Sequence, residues 1–132
     1  MTFSAEHTAI EQRFETQWGT RTPIQYPGTV YSPRTGVHYV QLNIEGGPAN
    51  QITIGGSSNS HRHIGYINVT AYGPSGIGLG TVKGHADYAA GIFRGQSFSG
   101  VNCHSARFYD LGEQDGWTRI MVEIPFYRDE LF

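Results

Sequence analysis

Charge is scarce in this chain. Only 15% of its 132 residues are Asp, Glu, Lys or Arg, against roughly a quarter in an average soluble domain. Lys83 is the one lysine; the other basic residues are arginines, scattered without a run, and the net charge is −2. A dedicated nucleic-acid binder would show a basic cluster, so that class is disfavoured. Cysteine is reduced to Cys103, which excludes an intrachain disulfide and is compatible with a reducing compartment. No window approaches the ~20 apolar residues that span a membrane. The start, MTFSAEHTAIEQRF, has neither the basic n-region nor the apolar stretch of a signal peptide. The expectation is a soluble, cytoplasmic chain forming a single domain over 1–132, long enough to bury a core without a staple.

What the chain does have is glycine, 18 residues, and aromatics: eight Tyr, seven Phe and two Trp. Few charges beside many tyrosines point to a surface partly covered by partners. Scattered arginines suit bidentate carboxylate pairing at protein interfaces.

Residues 4–18 read as a first helix, with Ser4 as N-cap, Glu6 in the first turn and Gly19 as the stop. Ile10, Phe14 and Trp18 make one apolar stripe. The proline-rich TRTPIQYPGTVYSPRTG reads as an extended connection holding at most a short strand. VHYVQLNIE (37–45) alternates, with His38, Val40, Leu42 and Ile44 on one face. GGPAN is expected to turn the chain into a short strand QITI (51–54), and GGSSNSHR to form a polar loop. HIGYINVTAYG (63–73) alternates again. From Leu79 the period becomes helical through Val82, Ala86, Ala89, Ala90 and Phe93, with Gly95 as the stop. Strands at about 101–109 and 117–127 follow, joined by a hairpin turn at Asp115-Gly116. Pro125 near the end of the last strand implies an edge or a bulge there. The expected class is α+β: an antiparallel or mixed sheet of about five strands with two helices on one face.

Two stretches tempt a chemical reading. GPSGIGLGTVK lacks the lysine placement of a Walker loop, and Gly76, Gly78 and Gly80 lack the G-x-G-x-x-G spacing of a dinucleotide fingerprint. The glycines are expected to make a positive-φ turn into the helix. His61 and His63 on a strand would point the same way, as two metal ligands might be arranged, but no third or fourth ligand stands nearby in sequence. Surface or interface histidines are the stronger expectation. No nucleophile elbow is present, and Cys103 has no cysteine-protease context. No catalytic, cofactor or metal residue is assigned, and no cofactor is expected.

The ordered phrases IEQRFETQW…TPIQYPG (10–28), HRHIGYINVTAYGPSGIGLG (61–80), ADYAAGIFRGQSF (86–98) and DGWTRIMVEIPFYRDE (115–130) resemble the tail terminator proteins of long, non-contractile-tailed bacteriophages. The stretch from Gly36 to Ser60 matches least. The resemblance implies an α+β domain assembling as a ring, typically of six subunits, on the last ring of the tail tube. Such a ring stops tube polymerisation and offers a surface for joining tail to head. Implied partners are further copies of itself, the tail-tube protein and a head-completion or neck protein. No membrane and no sequence-specific nucleic acid are implied, though the ring leaves room for DNA to pass. The implied location is the virion tail, assembled in the host cytoplasm.

Under that resemblance Arg34, Arg62 and Arg128 are candidates for bidentate pairs between subunits. His63 is a candidate interface histidine, and Leu131 and Phe132 are apolar contacts at a chain end. Two alternatives stay open. One is another neck, connector or tail-tube subunit. The other is a small ligand- or metal-binding enzyme domain with Tyr66, Tyr72, Phe108 and Tyr109 around a pocket; ordinary sheet packing of those aromatics is the plainer reading.

Overall fold

The structure, a computed structural model, describes residues 3–52, 54 and 59–131, with the side chains of Pro48 and Leu131 outside that description. Two helices, α1 (Phe3–Trp18) and α2 (Gly80–Phe93), accompany seven strands. These are β1 (Ile24–Gln25), β2 (Tyr39–Gln51), β3 (Ser60–Pro74), β4 (Ser97–Phe98), β5 (Val101–Cys103), β6 (Arg107–Gln114) and β7 (Trp117–Leu131). They form one sheet in the order β1-β2-β3-β7-β5-β4, with β6 also on β7. Only the β1–β2 pairing is parallel, so the sheet is mixed. It has more than the five expected strands because the one expected at about 101–109 breaks at 104–106 into β5 and β6, and because β1 and β4 are only two residues long. Runs that short carry no period to read.

Alternation builds the core. Val40 and Leu42 of β2, Ile67, Val69 and Ala71 of β3, and Ile120, Val122, Ile124 and Phe126 of β7 share one buried face. They join Ile10, Phe14 and Trp18 of α1 and Val82, Ala86, Ala89, Ala90 and Phe93 of α2 in a single cluster. Phe14 stacks on Trp18 (5.2 Å) and on Phe93 (5.9 Å), tying the two helices together. Arg13 Nε donates to the Ile92 carbonyl at 2.8 Å, and the Tyr88 hydroxyl to the Gln17 carbonyl at 3.0 Å. On the opposite face of the sheet, Tyr39 and Tyr72 stack at 4.5 Å and Trp117 meets Tyr39 edge-on.

Several local expectations hold. Gly19 ends α1 at φ 65°, its N–H donating to the Glu15 carbonyl. Asp115 (φ 53°) and Gly116 (φ 83°) form the tight turn between β6 and β7. Gly76 and Gly78 take positive φ in the turn before α2.

Others need correction. Helix α1 begins at Phe3, so Ser4 lies inside it. GGPAN does not turn the chain. β2 runs through it to Gln51, absorbing the irregularity as a register shift between Gly46 and Ala49. Pro48 is tolerated because this part of β2 is an edge. Ile52 and Ile54 are not in a strand, and Thr53 lies outside the described residues. Of GGSSNSHR, residues 55–58 lie outside them too, while Ser60, His61 and Arg62 already belong to β3. Pro125 itself sits inside the strand and at no bulge, since the β3–β7 register runs unbroken through it and β5 pairs Phe126 and Tyr127 beyond it. Among the described residues the edge comes only after that, where 128–131 pair with β3 alone. The proline sits where β6, ending opposite Glu123, gives way to β5, starting opposite Phe126. The missing N–H faces that junction, so no bond to β3 is lost.

Candidate subunit interface

Strands β3 and β7 pair along their whole length, Ser60 opposite Leu131 and Pro74 opposite Trp117. That register gathers charge at one end: His61 opposite Glu130, Arg62 opposite Asp129, His63 opposite Arg128. Alternation then sorts the side chains between the faces.

On the helix-free face Arg62 makes a bidentate pair with Asp129, Nε to Oδ1 at 2.9 Å and Nη2 to Oδ2 at 3.1 Å. Its guanidinium also lies 4.2 Å from the centre of the Tyr127 ring. The hydrogen bond from Arg62 holds the Asp129 carboxyl below the usual carboxylate range. Both side chains are 39% exposed, so the pair stays open to solvent and to a partner.

On the helix side Arg128 is only 2% exposed. Its Nε contacts Glu6 Oε1 at 2.6 Å and its Nη1 contacts Glu130 Oε2 at 3.1 Å. His63 Nε2 lies 3.3 Å from the same Glu130 oxygen, so the histidine and the buried arginine approach one carboxylate. The Arg128 fork is thus occupied within its own chain.

The fold therefore brings Arg62, His63, Arg128 and the backbone of Leu131 to one end of the sheet. Arg34 stands apart, exposed in the connection before β2, where its carbonyl accepts from the Val37 N–H at 3.2 Å. Phe132 lies outside the described residues. Sequence reading missed the partners Glu6, Asp129 and Glu130. The alternation of R-D-E against H-R-H was the available signal, but it needed the strand register to be read.

The aromatic set proposed for a pocket is divided between the faces. Phe108 lies opposite Val122 on the helix side, while Tyr109 lies opposite Met121 and Tyr66 opposite Pro125 on the other. A hollow of about 310 Å³ beside Phe108 is lined by Lys83, Ala86, Asp87, Asp110 and Ile120. Among the described residues no group of three or more His, Cys, Asp or Glu could hold a metal ion. No helix among them is long and apolar enough to cross a membrane.

No curated protein matches the chain. Among the solved structures that match, one is similar over 99% of this chain and 99% of its own, at 14% identity and a TM-score of 0.68, which shows a shared fold. A family model described as phage tail terminator protein matches residues 7–126, from α1 to β7. The chain therefore belongs to the phage tail terminator protein family.

Proposed function

We propose that this protein closes into a ring, of six subunits, on the last ring of the tail tube. There it stops tube polymerisation and presents the surface that joins tail to head. Family membership carries the coarser part: the chain is a structural component of a phage virion tail and works against other tail components. The observation that supports the finer reading most is that the family match spans nearly the whole fold, 7–126, so the domain as a whole carries the role.

The partners are the tail-tube protein, a head-completion or neck protein and further copies of the chain, assembled in the host cytoplasm before incorporation in a siphovirus-type tail. A ring needs one surface of a subunit to fit a different surface of the next, so that the rotation closes. Arg34, Arg62, His63, Leu131 and Phe132 belong to those contacts in this reading. Arg128 contributes by holding Glu130, and with it the strand end, in place. The net charge of −2 leaves DNA free to pass without tight binding.

A native mass spectrum at two protein concentrations tests the ring. The expected result is a closed oligomer whose mass is a whole multiple of the polypeptide. Open-ended tubes would move the assignment to a tube subunit, and a monomer that forms no ring even on tail tubes would overturn it.

A further inference from the structure

Both edges of the sheet are open. On β2, strand β1 covers only Val40 and Gln41, and among the described residues no strand pairs the outer side from Leu42 onward. On the far side the edge is shared, among the described residues, by β6, which pairs with β7 alone, and the two-residue β4, which pairs with β5 alone. Free edges of this kind are templates for another chain.

The backbone groups at the two edges are in matching phase. The Val40 N–H donates to the Pro23 carbonyl at 3.1 Å, so even-numbered residues of β2 turn their backbone groups outward. The His104 N–H donates to the Pro125 carbonyl at 2.8 Å, so odd-numbered residues of β7 face β5 and β6. Arg107 and Tyr109, opposite Glu123 and Met121, therefore bond inward, leaving Phe108 and Asp110 to point outward. Phe108 and Asp110 also carry their side chains on the helix side, as Leu42 and Ile44 do. Strand direction alternates from β2 through β3 and β7 to β6, so the two free edges run in opposite senses.

From this geometry we infer that β6 of one copy adds antiparallel to β2 of the next, with Phe108 opposite Ile44 and Arg107 opposite Glu45. Tyr109 then meets Asn43, and Asp110 meets Leu42. The inference rests on the ring reading above and names the surface that would build it.

Three features select this register. Arg107 and Glu45 form a non-hydrogen-bonded pair, where opposite charges stand closest. Phe108, 46% exposed in the single subunit, covers the half-buried Ile44. A slip of two residues would set Arg107 against Asn43 or Gly47 and lose the charge pair. The outward pairs 44/108 and 42/110 exchange about four backbone hydrogen bonds. Bulges confine the contact: β2 is irregular between Gly46 and Ala49, and β6 between Asp110 and Gly112. Because different edges meet, each copy repeats the contact with its helices on the same side, as a closing ring requires.

Cross-linking tests it. A chain carrying Asn43→Cys and Tyr109→Cys is oxidised after its oligomeric state has been read by native mass spectrometry. Burial pushes the Cys103 thiol up to about 12 and keeps it out of the reaction. The expected result is a ladder of covalent multimers up to the ring, with neither single variant giving one. Glu45→Arg should raise the concentration for half-assembly about tenfold, and adding Arg107→Glu should restore it. A ring that forms but does not cross-link overturns this contact and leaves the ring standing. No ring, in solution or on tail tubes, overturns both.

Discussion

Arg128 and Glu6 stand 122 residues apart in the chain, yet Nε and Oε1 meet at 2.6 Å with both side chains buried. One residue lies near the C-terminal end of β7, the other in the first turn of α1. The pair therefore fixes the start of the helix layer to the end of the sheet that carries Arg62, Asp129 and His63. A buried charge is tolerable only when paired.

Removing one partner should thus be costly. Glu6→Ala removes the carboxylate that meets the buried Arg128 Nε, and a loss of about 3 kcal/mol is expected. The double change Glu6→Leu with Arg128→Met should lose far less, because the charge left behind is that of Glu130, which is 26% exposed and still reached by solvent. Urea unfolding of the three proteins gives the comparison; equal losses in single and double variants would contradict it.

This pair also marks how far the sequence could be read. The helices were legible because Ile10, Phe14 and Trp18, and Val82 through Phe93, repeat at helical spacing and do bury together. The Asp115-Gly116 turn was legible because its two positive φ angles demand such residues. Edge behaviour was not. Glycine and proline in GGPAN signal a turn locally, but a strand edge accommodates both within a bulge. Pro125 pointed to an edge that begins only at residue 128, since the gap Pro125 itself faces is created by two other strands. Arg128 looked like a surface residue because its partner lies at the opposite end of the chain.

Glycines on the two layers should respond oppositely to alanine. A Cβ at Gly65 would lie 2.6 Å from the Glu45 carbonyl oxygen and 2.6 Å from Phe126 Cζ. Gly65→Ala should therefore cost about 2 kcal/mol through overpacking. A Cβ at Gly84, within α2, meets nothing within 4 Å, and Gly84→Ala should stabilise by up to about 1 kcal/mol. Chemical denaturation of both variants decides this; a neutral Gly65→Ala would count against the tight β2–β3–β7 packing.

His85 sets an acid sensitivity. Its Nδ1 accepts from Arg21 Nε at 3.1 Å, which requires the neutral ring. The Arg21 guanidinium lies over Tyr88, and His38 and Trp18 pack against the His85 ring. Burial, then the Arg21 charge, then His38 hold its pKa below the ordinary value of 6.5. The unfolded chain therefore takes up a proton that the folded one refuses. The stability His85 contributes is complete above 6.5 and drains away as pH falls toward the lowered value. His85→Gln keeps an acceptor for Arg21 without titrating. Between pH 8 and 5 its melting temperature should fall less steeply than that of the parent, and identical slopes would refute the assignment.

A protein proposed to end the tail tube should control tail length. Tails should be imaged by electron microscopy from phage lacking this chain, and again after purified protein is added during assembly. Overlong tubes without heads are expected in its absence, and tubes of normal length joined to heads once it is supplied. Tails of normal length, joined to heads without the protein, would contradict that role.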